Sequence, residues 1–152
     1  MKGDKIPGQN HITRYCKPTQ VSGGQIQATA FMLRTSEESL SVNWLEFLNC
    51  SSRESEITEI RNIYSAKLNV GACAKIAVLN VGEVRQKVHT ESPDGRNLEV
   101  IHDPLPYPSH GTSPDPLVDD PSHSGIYNLK QDDELIAELI LETVREAYSA
   151  RT

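Results

Sequence analysis

The chain has 152 residues, enough for one ordinary domain and too few for two. Hydrophobic residues make up 37% of it and aromatics 5%, which predicts a modest, mainly aliphatic core. The formal net charge of −6 disfavours a general nucleic-acid binder, which needs a basic face, but leaves room for a small local basic site.

Residues 1–24 are punctuated by Gly3, Pro7, Gly8, Pro18, Gly23 and Gly24, and residues 1–10 are expected to be flexible. His11-Ile12-Thr13-Arg14-Tyr15-Cys16 alternates weakly and predicts a short strand. Ile26 to Arg34 also alternates and is expected to be a strand covered on both sides near its end. After a turn at Ser36–Ser39, Leu40 to Leu45 reads as a strand leading into a short helix at Glu46–Leu48. Ser51 to Leu68 predicts a helix. Ser51 or Ser52 can cap it, Glu54 and Glu56 suit its first turn, and Ile57, Ile60, Tyr64 and Leu68 form an apolar stripe.

Ala72 to Val81 is the most apolar run and predicts a central strand. Gly82 to His89 fits either a short helix or an edge strand. Ser92–Arg96 is a turn, and Leu98 to His102 a strand. Residues 103–124 hold six of the nine prolines and predict a long loop, a kind of segment that often carries function. Gln131 to Ala150 reads as an amphipathic helix burying Ile136, Leu139, Ile140, Val144, Ala147 and Tyr148. Its surplus aliphatics offer a docking face for a partner or a second copy of the chain. The sum is a single α+β domain over 1–152, with a mixed or antiparallel sheet, two main helices over one face and a long Pro-rich loop.

No apolar run reaches bilayer-spanning length, and Met1-Lys2-Gly3-Asp4-Lys5 lacks the apolar stretch of a secretory signal. A cytoplasmic location is therefore expected. Cys16, Cys50 and Cys73 are odd in number and contain no CxxC pair, so no disulfide framework is expected. Cys50 and Cys73 read as semi-buried packing residues. Arg14 and Lys17 beside Cys16 would favour a thiolate there, which could act as a nucleophile with His102 or His123 as base.

Two constellations could carry chemistry. His102, Asp103 and His123, with His110, Asp115, Asp119 and Asp120 in the same loop, offer imidazole and carboxylate ligands for a divalent transition metal. Their spacing matches no established ligand motif. The second constellation needs no cofactor. His11 and His123 would act as general base and acid, Arg14 would hold an anionic substrate, and Tyr15 would orient it. Trp44 is expected in the core, with Asn43 on the opposite face, where Asn43 and Arg34 could line a pocket. The chain contains neither GxxxxGK[ST] nor GxGxxG.

His11-x-x-Arg14-Tyr15-Cys16, Leu40-Ser41-Val42-Asn43-Trp44-Leu45-Glu46, Ala77-Val78-Leu79-Asn80-Val81-Gly82 and Pro121-Ser122-His123-Ser124-Gly125-Ile126 together resemble a family of small bacterial proteins with no established activity. The resemblance spans roughly residues 11 to 126 and implies relatedness and a bacterial source, without a mechanism. The expected function is that of a small accessory protein acting with a larger protein partner. The alternative is a small hydrolase or nuclease-like enzyme built on the His/Arg site, with or without a metal.

Overall fold

The computed structural model describes residues 3–104 and 120–151. Its strands are β1 (His11–Cys16), β2 (Val21–Ser22), β3 (Gln25–Ile26), β4 (Leu40–Trp44), β5 (Lys75–Asn80), β6 (Glu99–His102), β7 (His123–Tyr127) and β8 (Glu146–Ser149). Its α-helices are α1 (Arg53–Lys67), α2 (Val81–Glu91) and α3 (Glu134–Leu141). Six strands form one antiparallel sheet in the order β6-β7-β4-β1-β5-β8. The fold is α+β.

Alternation along the central strands builds two cores. On β5, Ala77 and Leu79 point to one face and Ile76 and Val78 to the other, and all four are fully buried. The first face packs against Val84 and Val88 of α2 and Ile136 and Ile140 of α3. The second packs against Ile57, Ile60 and Tyr64 of α1. The helices thus cover both faces, not one as the sequence suggested. A sheet whose central strands are apolar on both sides leaves oily surface in water unless each face is covered.

The α-helices start where side-chain oxygens can cap them. Ser52, Asn80 and Asp133 accept from the backbone amides of Ser55, Glu83 and Ile136. Asn80 resolves the ambiguity after β5: it closes the strand and caps α2.

Three sequence expectations are corrected. Ile26 to Arg34 is not one strand. Gln25–Ile26 closes a small hairpin through Gly23 and Gly24, both at positive φ, and Ala28–Phe31 is a 3-10 turn. Gln131 to Ala150 is not one helix. The helix ends at Leu141, the Thr143 amide and hydroxyl both donate to the Ile140 carbonyl, and Glu146–Ser149 pairs with β5. An open edge of β5 competes with helix continuation, and burial alternates along the residues that pair with it. Finally, the loop expected over 103–124 gives way to β7, which begins at His123 between β4 and β6. The candidate ligands His110, Asp115 and Asp119 lie outside the described residues.

Residues 3–10, expected to be flexible, run beside β6. The Ile6 amide donates to the Val100 carbonyl, Lys5 bridges to Ile101, and the Ile6 side chain is buried. Among the described residues no helix is long and apolar enough to cross a membrane.

Candidate functional site: a cationic cleft where two strands part

β1 and β4 are neighbours for only two residue pairs, Ile12↔Trp44 and Thr13↔Asn43. Beyond them β1 follows β5 as far as Cys16↔Lys75, while β4 follows β7 as far as Leu40↔Ile126. The strands part, and Arg14 fills the gap. Its Nε donates to the Ala30 carbonyl at 2.8 Å and its Nη1 to the Ser41 carbonyl at 2.9 Å. Those bonds satisfy a carbonyl that the missing ladder would otherwise leave open. Burial draws the Arg14 guanidinium below its ordinary pKa, but an arginine stays charged.

A cleft of about 320 Å³ opens at this split. Among the described residues, four cations line it, Arg14, Lys17, Arg34 and Lys67, against one wall carboxylate, Glu37. Tyr15, Ser41, Asn43, Tyr64 and His123 complete the polar lining. Behind Lys67, Asp120 is fully buried and accepts from its Nζ at 2.6 Å. Asn43 Nδ2 lies within 3.0 Å of both Asp120 carboxylate oxygens, and Ser122 donates to Oδ1. Even with Asp120 counted, positive charge is in excess among the described residues of the cleft, in a chain that is acidic overall.

His123 reaches the cleft from β7. Its Nδ1 lies 2.8 Å from the Asp103 carbonyl oxygen, which can only accept, so Nδ1 carries the proton. Nε2 is then an acceptor, and Ser41 Oγ lies 3.2 Å from it. Burial, the largest influence, lowers the His123 pKa, and Lys67 lowers it further. The Asp103 carbonyl, Asp120 and the Asp103 carboxylate pull the other way. The ring is held as neutral imidazole at neutral pH, with its lone pair toward a serine hydroxyl.

Arg14, Tyr15 and His123 thus line one cleft. His11 lines another depression with Glu46, Cys50 and Arg53, where its Nδ1 pairs with Glu46 Oε2 at 2.7 Å. The general acid and base pair of His11 and His123 is not brought together in one cavity. The metal set is not gathered either: among the described residues no three His, Cys, Asp or Glu side chains cluster to hold an ion. His102 Nε2 meets the Pro121 carbonyl at 2.6 Å and its ring packs on Trp44 and Phe47. The Asp103 carboxylate accepts from the Tyr127 hydroxyl, and His123 uses the Asp103 backbone instead.

Cys16 is fully buried, and burial pushes its thiol up to about 11, against the expected thiolate. Cys73, expected to be packed, is exposed. Trp44 is half-buried, with its indole N–H bonded to Asn10. The residues that sequence reasoning missed are Ser41 and Lys67. Ser41 carries no local signal, because its partner His123 is 82 positions away.

Compared with known proteins, the chain matches no family model, no curated protein and no solved structure.

Proposed function

We propose that the protein binds a small anionic ligand, a carboxylate or a phosphate ester, in the cleft between β1 and β4. The observation that carries this reading is the convergence of Arg14, Lys17, Arg34 and Lys67 on one cavity of a chain with net charge −6. Lys67 is paired with Asp120, but Arg14, Lys17 and Arg34 face a single wall carboxylate among the described residues, so a bound anion would relieve their mutual repulsion. Arg34 and Lys17 are exposed at the rim and can attract and hold the anion, while Arg14 is fixed by two carbonyls deeper in. The expected accessory role fits: a small chain that holds an anion can present it to a larger partner. The large exposed apolar side chains among the described residues, Phe47, Leu68 and Leu135, sit on separate elements. The expected docking face on α3 accordingly shrinks, because Ile136, Ala137, Leu139 and Ile140 already pack inward.

Titration calorimetry with inorganic phosphate, succinate and adenosine monophosphate tests this reading. Saturable binding is expected for at least one of them, weakened about tenfold or more by Arg34→Ala, the loss of roughly one charge-assisted contact. Absence of binding for all three at millimolar concentration overturns it.

A further inference from the structure

We propose that Ser41 is the nucleophile of an esterase site, with His123 as its general base and the Asp103 backbone carbonyl holding the imidazole. The substrates are carboxylic esters that carry a negative charge. This deepens the anion-binding reading and rests on it for the choice of substrate.

The geometry has the three parts that an activated serine requires. Ser41 Oγ is 3.2 Å from His123 Nε2, and His123 Nδ1 is 2.8 Å from an acceptor that fixes the tautomer. A base separation at the long end of hydrogen-bonding range is usual before substrate binds. Ser41 is exposed and lines the cleft, whereas His123 is buried, so the hydroxyl is accessible and the base is held rigidly. Gly125 is the direct partner of Ser41 across the sheet. A Cβ at Gly125 would lie 2.8 Å from Ser39 Oγ and 2.9 Å from the Tyr127 ring, so a larger residue on this flank of the serine would have to displace those side chains. Arg14 grips the carbonyl of Ser41 itself, which fixes the backbone that carries the nucleophile.

In the reaction, Ser41 Oγ attacks the ester carbonyl carbon while His123 Nε2 takes its proton. The C–O bond to the alcohol breaks, and His123 returns that proton to the departing oxygen. Water then loses a proton to His123 and attacks the acyl-serine. The acid leaves, and Ser41 recovers its proton from His123. Ester and water become acid and alcohol, with no other reactant. Arg34 and Lys17 hold the substrate's anionic tail.

The test uses the full-length protein, an uncharged fluorophosphonate probe and two aryl esters, 4-nitrophenyl hemisuccinate and 4-nitrophenyl butyrate. One covalent adduct mapped to Ser41 is expected, together with a preference for the hemisuccinate of about tenfold or more in kcat/KM. Ser41→Ala should abolish both adduct and hydrolysis. The labelling rate of the wild-type protein should rise with pH below the ordinary histidine value of 6.5 and be level above it, as His123 becomes neutral. No adduct, an adduct elsewhere, or hydrolysis that survives Ser41→Ala overturns the proposal. Succinate binding by the wild-type protein separates the two readings. Binding without an adduct removes the esterase and leaves the anion site, and an adduct at Ser41 without binding of succinate, phosphate or adenosine monophosphate leaves the nucleophile and removes the anion site.

Discussion

The Arg14 guanidinium stands in for a missing rung of the sheet: its Nη1 donates to the Ser41 carbonyl where β1 and β4 have separated. Strands that part inside a sheet leave backbone carbonyls in need of donors, and a planar guanidinium supplies two from one side chain. Arg14→Met keeps the stem and removes the donors. We expect it to cost about 1.5–3 kcal/mol, the usual loss for a hydrogen bond to a charged group, discounted because Arg14 is only half-buried. Urea denaturation reads the stability, and calorimetry with succinate should show weaker binding by the same variant. Unchanged stability would mean that water replaces the guanidinium without loss.

Lys67 and Asp120 form the second relationship that shapes the cleft. Asp120 is fully buried and Lys67 only partly exposed, so their pair cannot be treated as a surface bridge. Removing the cation alone strands a carboxylate in the interior, a loss of about 3–5 kcal/mol. Lys67→Met should therefore be strongly destabilising. Lys67→Met combined with Asp120→Asn should recover a substantial part, because the amide no longer carries an uncompensated charge. A double-mutant cycle by denaturant unfolding checks this, and additive losses would refute the coupling.

Local signals in the sequence reported local structure well. The Ser52 cap, the Glu54 and Glu56 first turn and Ile57, Ile60 and Tyr64 of the stripe describe α1 correctly, because capping and period are properties of neighbours in the chain, while Leu68, the last member of the expected stripe, lies just past the helix end and is exposed. The apolar run ending at Asn80 likewise became β5. The failures came where partners are distant. Glu146–Ser149 became a strand because β5 had an open edge, and no pattern within residues 131–150 reveals that edge. The site divides in the same way. Arg14, Tyr15 and His123 stood out by residue type, and the fold places them in one cleft. Ser41 is an ordinary serine until β7 brings His123 beside it. His11 attracts attention as a histidine, yet it belongs to a different depression, with Glu46.

Gly82 opens α2 and receives the N-terminal segment. Its amide donates to the Gly8 carbonyl at 2.8 Å, and a Cβ there would lie 2.9 Å from that same oxygen. Backbone cannot yield as a flexible side chain can. Gly82→Ala would gain up to about 1 kcal/mol of helix propensity and lose about 1–3 kcal/mol to the forced contact. The expected result is a lower melting temperature together with faster proteolytic clipping within residues 3–10. A melting temperature raised by the substitution would show that the segment moves aside without cost.

His123 should give the protein a pH dependence with a definite sign. Its pKa lies below the ordinary value of 6.5, chiefly through burial, so between the two values the unfolded chain binds more protons than the folded one. Stability then rises with pH through that window and is lost as pH falls from about 6.5 toward the folded-state pKa. Lys67, Asp120 and Asp103 all act on the ring, so the window depends on their charges as well. His123→Asn removes the titration and should flatten the slope of stability just below pH 6.5, even if it lowers stability overall. Chemical denaturation at a series of pH values measures that slope directly. An equally steep slope in the variant would assign the effect to other groups and mean that folding leaves the His123 pKa unshifted.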